Sequence, residues 1–361
     1  MIRFAIIFYL YFFSFNTLAQ GIEIKKIIAL NNPWSLTFVS DSEVMISDKE
    51  GGISIVNIET KAQSIVKHNA NFKVDGQGGL LEILKHDDYI YLCFTEDRGS
   101  GKTSTSIARA KYSKTNLKFK NIFQANPPIN SGYHFGCRMV IQDSRYLYAS
   151  AGERGGGNIA QDPTKHPGSI IRIHLDGSIP KDNPKFKGKD NWLPEIYQIG
   201  IRNPQGMTLS PFNNKVYISN HGARGGDFFG EVKFGENYGW EIWCWGGKNY
   251  NFTKCGDVQK WDKRFTKTLY TWVPSIAVSA VQIYQGEEFK EWNNHILMTS
   301  LKDQSLRKLQ FNADGVGSEE TIFKGEIGRL RDIKIGPDGK IYILSNGNSA
   351  LWQLTSKNGK F

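Results

Sequence analysis

His134 stands in SGYHFGCR, residues 131–138, just ahead of an apolar run. An imidazole titrates near neutral pH, so a histidine presented on such a loop can take a proton from a hydroxyl. Further on, Glu153 lies in the glycine-rich AGERGGG. A carboxylate there can hold the histidine ring and fix its tautomer. Other polar residues recur in similar settings: Gln77 in DGQGGLLE, Arg202 and Asn203 in GIRNPQG, Lys302 in SLKDQ, and Arg329 and Arg331 in GRLRD. An Arg-x-Arg pair on a strand puts both guanidiniums on one face, a fork suited to carboxylates. If these segments meet, four cations converge with Glu153 as the one compensating carboxylate. That is costly unless an anion fills the space. A lone histidine is commonly a partly buried residue with no chemistry. Only the elements that bring the set together can give it a chemical role.

Those elements repeat. Units begin near Pro33, Gly79, Phe135, Pro204, Ala277 and Arg329, each with an apolar strand, a turn of Asp, Asn, Gly or Pro, and a second strand. Four of the second strands open alike, as YIYL, YLYA, KVYI and KIYI. Short strands of period two with regular turns predict an all-β protein. Six copies at roughly 50 residues each predict a six-bladed β-propeller rather than a pair of β-sandwiches. Residues 22–30 read as a further strand that pairs with the last blade and closes the ring. The polar residues then sit just before the first strand of a blade or just after the second, so they gather on one rim, where His221 of NHGARGGD is also expected. The longest insertions fall around 176–200 and 240–275, and no amphipathic helix longer than about two turns is evident.

Residues 1–19, apolar and aromatic after Arg3 and ending Thr17-Leu18-Ala19, read as a secretory signal cleaved after Ala19. An N-terminal anchor is the alternative. The mature chain, 20–361, is expected to be one propeller domain, exported to the periplasm, a monomer or homodimer without stable membrane insertion. Removing the signal removes Arg3 alone among charged residues, so the net charge falls from +10 to +9. The basic residues are spread out with no run of five, which argues against a nucleic-acid partner. Of the four cysteines, Cys244 and Cys255 flank an insertion and form the plausible disulfide, while Cys93 and Cys137 lie in strand-like runs and are expected to be buried thiols. No CxxC or CxxH spacing suggests structural zinc.

The motifs GQGGLLE, HFG-x-R, LDGSIPKDNP, GIRNPQGM, ENYGW, SLKD and R-x-RD, spread over nearly the whole mature chain, resemble those of the soluble quinoprotein glucose/sorbosone dehydrogenases, and among them the bacterial aldose sugar dehydrogenases. The resemblance implies a six-bladed propeller that uses calcium and pyrroloquinoline quinone (PQQ) to oxidise the anomeric hydroxyl of aldoses to lactones, passing electrons to an external acceptor. It implies that His134 is the base, oriented by Glu153, and that Arg202 polarises the quinone carbonyl. It assigns Gln77, Asn203 and Tyr250 to PQQ contacts, and Lys302, Arg329 and Arg331 to the PQQ carboxylates. For calcium it points to the Gly222 and Ala223 carbonyls beside PQQ, and to the Tyr238 carbonyl at a second site where Phe228 replaces the usual glutamate and Asp227 or Glu231 would have to compensate. Tyr133, where an aspartate is usual in glucose-oxidising members, and Cys137, where glycine is usual, put sugar preference in question. The alternative reading is a non-catalytic propeller that binds a partner protein or a glycan. A propeller lactonase ranks below both, for want of an acidic cluster.

Overall fold

The computed structural model describes residues 21–185, 191–256 and 261–357. Residues 1–19, read as a signal, lie outside them. Six four-stranded antiparallel sheets form a ring. Their first strands are Pro33–Phe38, Leu80–His86, Gly136–Gln142, Asn203–Leu209, Val278–Ile283 and Leu330–Ile335. Each packs beside the first strand of the next sheet, and the last beside the first. These starts fall within a residue of the six sequence units. The strand Ile22–Ala29 pairs antiparallel with Ala350–Ser356, so the outer strand of the sixth blade comes from the N-terminal end and closes the ring. The only helices among the described residues are two short 3-10 turns, Gly157–Gln161 and Lys290–Trp292.

Blades stack face to face, so an interior strand has a neighbouring sheet on both sides. That is why Tyr146–Ala151, YLYASA, is buried at every position instead of alternating. An apolar cluster fills each blade interface. Tyr91 and Phe135 meet between the second and third blades, and Ile218 and Tyr148 between the third and fourth.

Two features of the ring shape the site. Every first strand carries a register shift at its opening residues, between Pro33 and Ser35, Leu80 and Ile83, Gly136 and Met139, Pro204 and Gly206, Val278 and Val281, and Leu330 and Asp332. Such bulges re-aim side chains at the rim of a sheet. Immediately below lies a belt of buried polar side chains, one from each blade: Ser35, Glu82, Arg138, Gln205, Ser279 and Asp332. The belt ties blades together. Glu82 accepts the Met139 N–H at 2.5 Å, and Arg138 donates to Asp332 at 2.9 Å and to the Gln205 carbonyl at 2.7 Å. Asp332 also accepts the Leu36 N–H at 3.0 Å. Arg138 lies 4.1 Å from the Trp34 ring centre. Burial pushes the Glu82 carboxyl up, against the pull of Lys334 and Arg138. This buried ionic hub escaped the sequence reading, although the R of HFG-x-R was its visible trace.

One expectation is corrected. Cys93 and Cys137 are not free thiols; they form a disulfide, with Cα atoms 5.5 Å apart. Cys93 lies in the second strand of the second blade and Cys137 in the bulged first strand of the third. Two strand-like runs give no hint that they face each other across a blade interface. Cys244 and Cys255 are bonded as expected.

Candidate active site

His134 is held in an unusual backbone. It has φ 48°, and Gly136 and Cys137 both have φ 66°, in the left-handed region that L side chains rarely adopt. The segment survives because its surroundings fix it. The His134 N–H donates to Gln77 Oε1 at 3.0 Å, and the Gly136 N–H to Asn203 Oδ1 at 3.1 Å. Behind it, a Cβ on Gly152 would stand 2.1 Å from the His134 carbonyl oxygen, so only glycine lets the two backbones meet. Arg154, also unforeseen, braces the loop from below. Its guanidinium lies 3.7 Å from the Phe135 ring centre and donates to the Tyr133 carbonyl at 3.0 Å, the Thr103 carbonyl at 2.9 Å and the Ser131 carbonyl. Burial draws the Arg154 group down to about 10.

That close approach of backbones delivers Glu153 to the histidine. Glu153 is buried; its Oε1 pairs with His134 Nδ1, and its Oε2 accepts the Gly157 N–H at 2.7 Å. An ionised carboxylate only accepts, so Nδ1 carries the proton and Nε2 keeps its lone pair. Burial holds the imidazole below its ordinary range. The bond to Glu153 opposes that shift, and the positive charge of Arg202 adds to it. His134 is therefore neutral at neutral pH. The Glu153 N–H donates to the Arg202 carbonyl at 2.9 Å, which ties the third blade to Arg202 at the mouth of the fourth.

The candidate residues divide between two adjoining cavities. The first, about 370 Å³, lies over the channel. Gln77, Asn203, Arg329 and Arg331 line it, as expected, and so does Lys49, which the motifs did not reveal. No carboxylate is among its lining residues. Burial and the neighbouring Arg138 and Arg329 push Arg331 down to about 9, while Asn346 and Gln205 accept its N–H groups at 2.7 and 2.9 Å. His221 also lines this cavity. The bulge at Val278 brings a carbonyl to its Nε2, and burial lowers the ring to about 4. Lys302 lies on the rim instead: it is exposed, with Nζ 3.3 Å from the Ser275 carbonyl, and its neighbour Leu301 is the residue that reaches the wall.

The second cavity, about 430 Å³, holds His134, Glu153, Arg202 and Tyr250. Arg202 is 6% exposed and its Nε has no hydrogen-bond partner among the described residues. Its guanidinium stands 5.2 Å from the Trp240 ring centre and 5.6 Å from that of Tyr250. A buried, unsatisfied guanidinium nitrogen in the wall of the second cavity is a place held for an acceptor. Ala223 lines the wall, while Tyr238 is buried with its ring 4.6 Å from that of Phe228 and its hydroxyl on the Glu231 carbonyl at 2.7 Å. Tyr133 is exposed and lies beside Gly155, and Cys137 faces away into its disulfide.

The glucose/sorbosone dehydrogenase family profile matches residues 30–353. The chain belongs to the glucose/sorbosone dehydrogenase family. As such it is an oxidoreductase. It is 32% identical over 330 residues to an aldose sugar dehydrogenase of Escherichia coli, a match that covers 89% of this chain and 88% of that one. It is 26% identical to quinoprotein glucose dehydrogenase B of Acinetobacter calcoaceticus, over 89% and 85% of the two chains. The dehydrogenase superposes on the crystal structure of the soluble aldose sugar dehydrogenase of Escherichia coli in its apo form with a TM-score of 0.85 and 28% identity, over 93% of this chain and 99% of that one.

Proposed function

We propose that this dehydrogenase oxidises the anomeric hydroxyl of aldose sugars to lactones with PQQ as its redox group. The observation that carries the reading is the junction of a cavity rich in cations and free of carboxylates with a preset His134–Glu153 pair. The residues present fit the cofactor. Lys49, Arg329 and Arg331 suit its carboxylates, with Gln77 and Asn203 as amide partners, Lys302 on the rim, and Tyr250 beside Arg202. PQQ, when bound, accepts the hydride and its two electrons, which an external acceptor later removes.

The chain supplies the rest. His134 Nε2 takes the proton of the anomeric hydroxyl as C1 becomes a carbonyl carbon. Glu153 keeps Nδ1 protonated and steadies the imidazolium that forms. The unpartnered Nε–H of Arg202, in the wall of the second cavity, would stabilise negative charge on an acceptor oxygen held there. Calcium is proposed at the Gly222 and Ala223 carbonyls, which accept no hydrogen bond among the described residues. At Tyr238 the residues do not fit a second calcium. Asp227 already accepts from Gly222, Ser275 and Val278, and Glu231 pairs with Lys215 at 2.9 Å.

The reading of residues 1–19 as a signal supports export to the periplasm. Among the described residues no helix is long and apolar enough to cross a membrane. The test is to reconstitute purified protein with PQQ and calcium and follow dye reduction with a panel of aldoses. Turnover together with a perturbed PQQ spectrum is expected. Unperturbed PQQ and no turnover with any sugar would refute the proposal.

A further inference from the structure

The two cavities carry opposite charge. The first gathers Lys49, Arg329 and Arg331 without a carboxylate, whereas the second sets Glu153 and Glu241 against one guanidinium, that of Arg202. With His134 neutral, the side chains lining the second cavity sum to a formal charge of −1. Glu153 is fully engaged by His134 and the Gly157 N–H. Glu241 is not. It is half-buried at the cavity wall, and its carboxylate makes no hydrogen bond or ion pair among the described residues.

Its placement is specific. A Cβ on Gly157 would stand 2.0 Å from Glu241 Oε2, so the bare Cα of that glycine, at φ 56°, is what admits the carboxylate. The N–H of the same glycine holds Glu153, so two carboxylates flank one residue of the loop. A carboxylate partly withdrawn from water beside another is unfavourable unless a cation or strong donor reaches it. Asn249 and Asn251 line the same wall with carboxamides, and Trp240 offers a ring face.

We propose that Glu241 determines specificity in this cavity by selecting aldoses that carry an ammonium group, the amino sugars, over neutral aldoses. The inference rests on the sugar-oxidising reading above. An ammonium brings three donors and a full charge to the carboxylate, whereas a ring hydroxyl brings one donor and none. The cationic cavity next door would repel such a substrate, but three carboxylates of a bound cofactor would offset Lys49, Arg329 and Arg331.

Two measurements test it. The first reads binding rather than turnover: the melting temperature of the PQQ-loaded protein, without electron acceptor, with D-glucosamine, D-glucose and the uncharged N-acetyl-D-glucosamine. Glucosamine should raise it more than either neutral sugar, and Glu241→Gln should remove the difference. The second compares kcat/KM of the reconstituted enzyme. Wild type should favour glucosamine over glucose by about tenfold or more, the scale of one charge-assisted hydrogen bond. Glu241→Gln should lose at least that factor more on glucosamine than on glucose. Equal shifts with all three sugars, or a variant that slows glucosamine and glucose alike, overturns the assignment. Should no sugar be turned over while PQQ binds, the sugar-oxidising reading fails, and the melting shifts still decide the role of Glu241.

Discussion

Glu153→Gln is the most informative single perturbation of the proposed base. In the native site the carboxylate has two tasks: it takes the Nδ1 proton of His134 and the Gly157 N–H. Glutamine has one acceptor for these two donors. If its oxygen serves His134, its amide N–H₂ faces the Gly157 N–H, donor against donor. If it turns to serve Gly157, the N–H₂ faces Nδ1 and drives the ring proton to Nε2, where it blocks the base. Either outcome lowers the population of competent base. Losing a partner that orients a reactive histidine costs about 10–100-fold, and loss of the base itself in His134→Ala about 10²–10⁴-fold. The pH profile adds a signed readout. Burial and Arg202 lower the His134 pKa and the Glu153 charge raises it, so removing that charge leaves only the lowering influences. The acid limb of kcat/KM should therefore move to lower pH in Glu153→Gln while the plateau falls. The assay is dye reduction by PQQ-loaded enzyme across the acid range with saturating acceptor. An acid limb that stays put or moves up, or an unchanged plateau, would refute the pairing of these two residues as base and orienting carboxylate.

Three further outcomes follow from the same geometry. Arg329→Ala combined with Arg331→Ala removes two of the three cations lining the first cavity, and should weaken PQQ binding by about 30-fold or more, the scale of stripping partners from buried charges; spectral titration at unchanged melting temperature is the check. Replacing Cys93 and Cys137 together by alanine opens a link between residues 44 apart in sequence and should lower stability by about 2–4 kcal/mol in urea unfolding; an unchanged midpoint would argue against this bond as a source of stability. Asp332→Asn leaves Arg138 with a weaker partner in the polar belt and should cost about 3–5 kcal/mol, with the loss seen as a lower denaturation midpoint; an unshifted midpoint would mean that Glu82 alone neutralises Arg138.

The repeat was legible because it is written in local terms. Apolar runs, turn residues and the recurring YIYL-like starts set six blades, and each observed first strand begins within a residue of its sequence unit. His134, Glu153, Arg202, Asn203, Gln77 and the 329/331 arginines were visible for a related reason: their places relative to the blade starts repeat. What stayed hidden depends on which strands of different blades face each other. The Cys93–Cys137 bond crosses a blade interface. The Glu82–Arg138–Asp332 hub joins three blades, its Glu82–Met139 and Arg138–Asp332 bonds spanning 57 and 194 residues. Lys49 and His221 gained the first cavity, and Lys302 stayed on its rim, through the turns and bulges that aim each side chain.

The sequence by itself determined the all-β class, the blade count and the chemical types at the rim, since these follow from period, turn chemistry and residue identity. Only the tertiary structure decided that the rim residues divide between two cavities of opposite charge, one rich in cations and one holding the His134–Glu153 pair, with Glu241 unpaired beside it among the described residues. Charge in a site is a sum over side chains from every blade, and it has no value until the ring has closed.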